Sequence, residues 1–250
     1  MDLGLSGRKA LVTGSYRGTG RGIATVLARE GATVFVHGFE PGQAEPIAQE
    51  IGATPVTGDL LTDEGADSIA DAVGDIDILV NNYGTSDRGR WMEASPAQWF
   101  EAYDKNVVSG VRLVPRLVPG MVERGWGRVI IIGTIGSVRP GARNPQYYAS
   151  KAALPAVTVS LAQELSGTGV TVNLVSPGLV ATDEVNAMLA RYEGGQLPAN
   201  LAGMVDNPSG RVAEPTDVGA LVAFVASELS ASVNGTNLRI DGGAADTVSP

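Results

Sequence analysis

Two residues four apart can do chemistry together. Tyr147 and Lys151 stand in the stretch Tyr147-Tyr148-Ala149-Ser150-Lys151. On a helix, positions i and i+4 share a face one turn apart, and residues 147–165 carry helical apolar spacing. A free phenol titrates near pH 10, too high for easy proton exchange at neutral pH. A nearby ammonium favours the phenolate and lowers that value. A tyrosine tuned this way can give a proton to a carbonyl oxygen or take one back from an alcohol. The spacing also suits an aromatic and a cation on a helix surface, but the chain has only three lysines. The pair would need a cofactor, a carbonyl-orienting group and a phosphate cradle.

A cradle is legible near the start. Residues 9–13 read as a short buried strand and 21–29 as a helix. Between them lies Gly14-Ser15-Tyr16-Arg17-Gly18-Thr19-Gly20. Glycines let a backbone approach a phosphate, and a helix amino end offers free N–H groups and a positive dipole end. A plain tight turn is the alternative. The second strand, 33–37, ends in His37-Gly38-Phe39-Glu40. Dinucleotide folds place a ribose-binding acid there, whereas this chain has Gly38, with Glu40 as a displaced substitute. Arg17 could reach a 2′-phosphate. Both features favour NADP(H), with NAD(H) as the second choice. His37 reads as a strand-end residue beside the adenosine, not a catalyst. After the third strand, 54–57, come Asp59 and Leu60; Asp59 suits an adenine amino group or the cap of a helix at 63–73. The fourth strand, 76–80, ends in Asn81-Asn82-Tyr83-Gly84.

The second half supplies the remaining parts. A helix over 95–122 opens on a capping box with proline in its first turn. Asn106 lies inside it, as a tolerated polar residue or a deliberate disturbance, and Pro115 and Pro119 should bend it. A fifth strand, 128–132, leads into Gly133-Thr134-Ile135-Gly136-Ser137, where a hydroxyl could orient a carbonyl. The sixth strand, 170–175, runs into Ser176-Pro177-Gly178-Leu179-Val180-Ala181-Thr182. Residues 183–211 are polar, with Gly194, Gly195, Pro198 and Pro208, and read as a lid or binding loop. A helix at 215–229, a strand at 238–240 and Asp241-Gly242-Gly243 follow. Strands alternating with helices predict a doubly wound parallel sheet whose ligands sit at the strands' carboxyl ends.

Composition narrows the partners. With 250 residues and no repeat or linker, the chain suits one domain spanning 1–250. It has no cysteine, so disulfides and thiolate chemistry are excluded. A formal charge of −9 argues against nucleic acid and anionic membranes. No apolar run reaches membrane length, and no signal peptide opens the chain, so a cytoplasmic protein is expected.

Taken together, these motifs resemble the short-chain dehydrogenase/reductase family over essentially the whole chain. Thr13-Gly14-x-x-x-Gly18-Thr19-Gly20 is similar to its cofactor loop, and Asn81-Asn82-Tyr83-Gly84 to its Asn-Asn-Ala-Gly motif. Asn106, Thr134, Tyr147 and Lys151 fall where its catalytic Asn, Ser, Tyr and Lys would lie. Pro177-Gly178 through Thr182 resembles its nicotinamide-side loop. The resemblance implies a Rossmann-type sheet of seven parallel strands in the order 3-2-1-4-5-6-7. It implies hydride transfer between NADP(H) and a ketone or 3-oxoacyl substrate, without a metal. Tyr147 would be the general acid, and Lys151 would tune it and hold the nicotinamide ribose. Thr134 would donate to the carbonyl, and Asn106 would hold a water linking Lys151 to solvent. Cofactor contacts would come from Gly14 to Gly20, His37 to Phe39, Asp59, Leu60, Asn82 to Gly84, Pro177, Gly178, Val180 and Thr182. A homotetramer or dimer is implied. An NAD-dependent alcohol dehydrogenase, or a non-catalytic dinucleotide-binding regulator, are the alternatives.

Three positions depart from the family pattern. Thr134 replaces a serine, and Ser137 rivals it. Tyr83 replaces a small alanine and either narrows the site or points outward. Pro155 removes one N–H and crowds the Lys151 carbonyl, which predicts a bend or an unpaired carbonyl there. The substrate would meet residues 85–91, 136–146 and 183–211. Arg88, Arg90, Arg139 and Arg143 could receive an acidic group.

Overall fold

The computed structural model describes residues 2–87, 89–192, 196–197 and 199–247. Seven strands form one sheet: β1 (Lys9–Val12), β2 (Thr33–Gly38), β3 (Thr54–Thr57), β4 (Ile78–Asn81), β5 (Gly127–Ile132), β6 (Val170–Pro177) and β7 (Asn237–Ile240). Their order is β3-β2-β1-β4-β5-β6-β7, and every pairing is parallel. The winding direction reverses between β1 and β4. The loops leaving those strands therefore diverge and open a crevice at the carboxyl edge.

Eleven α-helices are present among the described residues. They are α1 (Gly18–Arg29), α2 (Glu45–Ile51), α3 (Asp63–Val73), α4 (Pro96–Tyr103), α5 (Ser109–Val111), α6 (Val114–Glu123), α7 (Pro145–Ala152), α8 (Leu154–Glu164), α9 (Asp183–Ala190), α10 (Ala199–Val205) and α11 (Pro215–Ala226). Strand residues alternate between two cores. Ala10, Val12, Ile130 and Ile132 pack with Ile23 and Leu27 of α1 and Val218 and Val222 of α11. Leu11, Val129 and Ile131 pack with Ile69 of α3, Met121 of α6 and Ala162 of α8. A sheet covered on both faces needs apolar residues at odd and even positions alike, which is why these strands read as unbroken apolar runs. Among the described residues, no helix is long and apolar enough to cross a membrane.

Three segments differ from the sequence reading. The helix expected over 95–122 is broken. After α4 the chain makes a π turn at Asp104–Val108, centred on Asn106. The Asn106 Nδ2 donates to the Ala102 carbonyl (2.9 Å) and the Thr85 carbonyl (3.1 Å), while Oδ1 accepts the Thr85 N–H at 3.0 Å. A side chain inserted into the helical ladder forces the wider turn, so Asn106 disturbs the helix rather than merely surviving in it. Pro115 begins α6 instead of bending it, whereas Pro119 lies inside α6.

The helix expected over 147–165 also divides. Ala153 separates α7 from α8, and its N–H turns back three residues to the Ser150 carbonyl, at 3.1 Å. Pro155 falls in the first turn of α8, where a missing N–H is tolerated. The expected break is therefore present, as a restart of the helix. Residues 183–211 are not one loop, because they contain α9 and α10. Thr182 caps α9 by accepting the Val185 N–H at 3.3 Å. Gly194, Gly195 and Pro198 lie outside the described residues.

Asn106→Ala should cost about 1–3 kcal/mol, because the buried carbonyl of Ala102 and the partly buried backbone groups of Thr85 lose their partner. Urea unfolding of the two proteins checks this, with an unchanged slope expected.

Candidate active site

The loop between β1 and α1 is built to receive an anion. Arg17 precedes α1 in an extended conformation, no side chain caps the helix, and its first turn holds no acid. By contrast α3, α4 and α9 are capped by Thr62, Ser95 and Thr182. The amino end of α1 thus keeps its N–H groups and positive dipole end available. Gly14 and Gly18 take left-handed backbone angles (φ 60° and 55°). A Cβ at Gly20 would lie 2.5 Å from Asn82 Nδ2 and 2.7 Å from the Gly14 oxygen. These features fit a pyrophosphate. Asn82 pins the loop from β4. Its Nδ2 donates to the Thr13 carbonyl at 2.8 Å, and Thr13 Oγ1 accepts the N–H groups of Asn82 and Tyr83, both at 3.0 Å.

The adenosine side departs from expectation at several residues. The His37 imidazole is fully buried and faces inward. Its Nδ1 accepts the Gly14 N–H at 3.0 Å, and Nε2 bonds the Gly58 carbonyl at 2.9 Å. Burial lowers its pKa to about 4. Both ring nitrogens are spent within the protein, so the side chain is not a cofactor contact. Asp59 accepts the Leu61 N–H at 2.9 Å. The cap of α3 is Thr62, not Asp59. Leu60 is buried beneath. The Phe39 and Tyr83 rings meet at 4.6 Å, so Tyr83 turns across the crevice and narrows it. Glu40 is exposed, and its N–H is taken by Gln43 Oε1 at 3.3 Å. Arg17 pairs with Glu184 of α9 at 2.9 Å, with both side chains exposed. Tyr16 lies beside the Arg17 guanidinium, its ring centroid 5.2 Å away.

On the other side of the crevice, α7 presents Tyr147 and Lys151. Lys151 is buried, and its Nζ donates to the Ile132 carbonyl at 2.8 Å. Among the described residues no carboxylate pairs with it. Burial of the ammonium lowers its pKa to about 8. Tyr147 is pushed up to about 12 by burial, with the Thr134 hydroxyl pulling it partly back. The expected lowering of Tyr147 by Lys151 is therefore not in place, since Nζ is turned to a backbone carbonyl. Thr134 Oγ1 also accepts the Gly136 N–H at 3.1 Å. The Ser137 hydroxyl donates to the Thr134 carbonyl at 2.8 Å. Thr134, not Ser137, is the hydroxyl beside Tyr147.

Gly84 lies between two of these groups. A Cβ there would sit 2.6 Å from Asn106 Oδ1 and 2.9 Å from Lys151 Nζ. Pro177 closes β6, and the Gly178 N–H donates to the Ile240 carbonyl at 3.0 Å. Val180 is bridged to Ala213. A Gly18 Cβ would lie 3.5 Å from Thr182, so the loop after β6 meets the glycine loop.

One residue went unnoticed in the sequence. Asn144 precedes α7 and alone among the described non-glycine residues has a positive φ, 58°. It exchanges hydrogen bonds with Gly89, its N–H donating at 2.9 Å and its Oδ1 accepting at 3.3 Å. The Asn-Pro pair was the available signal, since asparagine tolerates this conformation and proline suits a first helical turn. Arg88 lies outside the described residues. Arg90, Arg139 and Arg143 are exposed, and Arg139 pairs with Asp246 at 3.5 Å.

A parallel sheet with an anion-ready helix on one side of its crevice and a half-buried phenol and a buried ammonium on the other defines a dinucleotide-type oxidoreductase fold. Comparison with known proteins names the family. A family model described as enoyl-(acyl carrier protein) reductase matches residues 14–245. An uncharacterised oxidoreductase of Bacillus subtilis is 36% identical, covering 97% of this chain and 98% of its own. The 3-oxoacyl-[acyl-carrier-protein] reductase of Haemophilus influenzae is 35% identical over 96% of this chain and 98% of its own. The crystal structure of L-sorbose reductase from Gluconobacter frateurii, complexed with NADPH and L-sorbose, superposes with a TM-score of 0.90 at 33% identity, covering 99% of this chain and 100% of that one. The chain belongs to the short-chain dehydrogenase/reductase family and is an oxidoreductase.

Gly84→Ala should lower turnover at least about tenfold, because the new methyl displaces Asn106 Oδ1 and Lys151 Nζ, while Tm shifts by only about 4 °C or less for a cost near 1 kcal/mol. Steady-state rates and thermal melts of the variant check this.

Proposed function

We propose that the chain is an NADP(H)-dependent reductase of a ketone or 3-oxoacyl substrate. The observation that carries this reading is the placement of the Tyr147 and Thr134 hydroxyls and the Lys151 ammonium together, across the crevice from an uncapped helix. When bound, the nicotinamide supplies or accepts the hydride. The loop from Gly14 to Gly20 would hold the pyrophosphate. Asp59, Phe39 and Asn82 to Gly84 would line the adenosine side, and Pro177, Gly178, Val180 and Thr182 the nicotinamide side. Gly38 puts no acid at the strand end where one would repel a 2′-phosphate, and Arg17 would neutralise that group on leaving Glu184. The NADPH in the L-sorbose reductase complex supports the same preference.

The chain's own residues would then move one proton. Tyr147 rests protonated, as a proton donor must. It gives its proton to the carbonyl oxygen as negative charge develops there. Thr134 donates a hydrogen bond to the same oxygen. Lys151, charged below about pH 8, stabilises the phenolate left on Tyr147 and would hold the nicotinamide ribose. A cavity of about 20 Å³ bounded by Asn106, Asn81, Ser109 and Ile132 has room for one water. That water would lie beside the residue whose carbonyl binds Lys151, which supports a proton path past Asn106. Residues 183–211 would close over the substrate. Exposed Phe100, Tyr103 and Val111 on α4 and α5 and Val159 on α8 suit a homodimer or homotetramer.

The Arg17–Glu184 pair favours a second reading, an NAD-dependent alcohol dehydrogenase, because it occupies the cation that a 2′-phosphate would need. Comparing NADPH and NADH dissociation constants separates the two.

Tyr147→Phe should abolish reduction across a panel of ketones while the NADPH dissociation constant stays within about threefold, which is under 1 kcal/mol. Thr134→Val should lose about two to three orders of magnitude, in the range of a lost oxyanion donor. Thr134→Ser and Ser137→Ala should both stay near the parent rate. Appreciable activity in Tyr147→Phe, or a larger loss at Ser137 than at Thr134, contradicts the assignment.

A further inference from the structure

We propose that His37 is a positioning residue for the cofactor loop: its neutral imidazole fixes Gly14 and so sets the backbone that receives the pyrophosphate. The proposal rests on the reading of residues 14–20 as that cradle. The partners of the ring dictate its state. A backbone N–H can only donate and a carbonyl can only accept. Nδ1, facing the Gly14 nitrogen at 3.0 Å, therefore carries the lone pair. Nε2, facing the Gly58 oxygen at 2.9 Å, carries the proton.

The backbone of His37 reinforces the tie. The Ser15 N–H donates to the His37 carbonyl at 3.1 Å, and the His37 N–H donates to Ser15 Oγ at 3.0 Å. Ser15 Oγ in turn donates to the Val12 carbonyl at 2.7 Å. One residue thus holds both Gly14 and Ser15 of the loop and joins them to the end of β3. The Phe39 ring packs edge-on against the imidazole at 5.2 Å. Asp59 is the charged group that acts on it, and its attraction for a proton is outweighed by burial. A protonated ring would set a second N–H against that of Gly14, two donors facing each other, and force the loop away.

The two side-chain bonds can be removed one at a time. Asparagine carries an acceptor at the level of Nδ1 and can keep the Gly14 bond, but it falls short of Gly58. Glutamine reaches Gly58 with its terminal amide and leaves Gly14 unmet. Leucine keeps neither. Because His37 is the chain's only histidine, imidazole ¹⁵N spectra of the intact protein report on it alone.

The test combines these spectra with NADPH and NADH dissociation constants and urea unfolding of His37→Asn, His37→Gln and His37→Leu. The expected spectrum is a neutral ring protonated on Nε2 that does not titrate above about pH 5. All three variants should lose stability. Dissociation constants should rise about tenfold or more in the glutamine and leucine variants and stay within about threefold in the asparagine variant, tenfold being the effect of one hydrogen bond. A ring protonated on Nδ1, a titration near the ordinary histidine value, or equal binding by the asparagine and leucine variants overturns this role alone. Wild-type protein that binds neither dinucleotide overturns the cofactor reading and this role with it.

Discussion

A buried ammonium with no carboxylate partner among the described residues is the constraint around which the site is arranged. Moving a charge out of water costs several kcal/mol unless it is paired. Lys151 has one carbonyl, that of Ile132, and its affinity for a proton falls accordingly. Its surroundings are shaped to accept it. The carbonyl belongs to the last residue of β5, a central strand that the core holds rigidly. Gly84 contributes no side chain where one would strike the Nζ. The π turn at Asn106 places an amide oxygen against the same point of Gly84. The helix carrying the lysine ends one residue later and restarts, so α7 is aimed independently of α8.

The opposite wall is held by hydrogen bonds. Thr13 and Asn82 tie the turn after β1 to the turn after β4, across the point where the sheet reverses direction. His37 ties the same turn to the end of β3. The loop is thereby fixed from two sides before any ligand arrives, while its helix keeps an uncapped amino end. Preorganised dipoles of this kind need not reorient when charge appears, which is where such sites gain their effect. The Tyr83–Phe39 contact and the Arg17–Glu184 pair lie at the open rim, and these are the parts a ligand must displace or use.

Much of this was legible in the sequence. The strands were readable because a sheet buried on both faces needs unbroken apolar runs. The glycine loop, Asn106, Thr134 and the Tyr147–Lys151 spacing were readable because each sits at a strand's carboxyl end or on one helix face. Pro155 announced the break in its helix. His37 stands at a strand end, which by itself suggests a ligand contact, yet its side chain turns inward. Period-two alternation puts it with Phe35 on the face opposite Val34 and Val36, turned toward the protein. The direction of Lys151 was not legible, since it depends on where a distant strand presents a carbonyl. Helices α9 and α10 were hidden because the glycines and prolines of 183–211 outweigh a weak apolar pattern.

The pH dependence of carbonyl reduction tests the central claim most directly. The quantity to follow is kcat/KM for NADPH at saturating carbonyl substrate, which reports groups of the unliganded enzyme. With Lys151 buried and held by the Ile132 carbonyl, its charge is present below about pH 8 and lost above it. The account predicts full activity below that value and a tenfold fall per pH unit beyond it, with the break absent from NADPH binding by Lys151→Met. A profile that stays flat past pH 9.5, or breaks only near the ordinary lysine value of about 10.4, would contradict it.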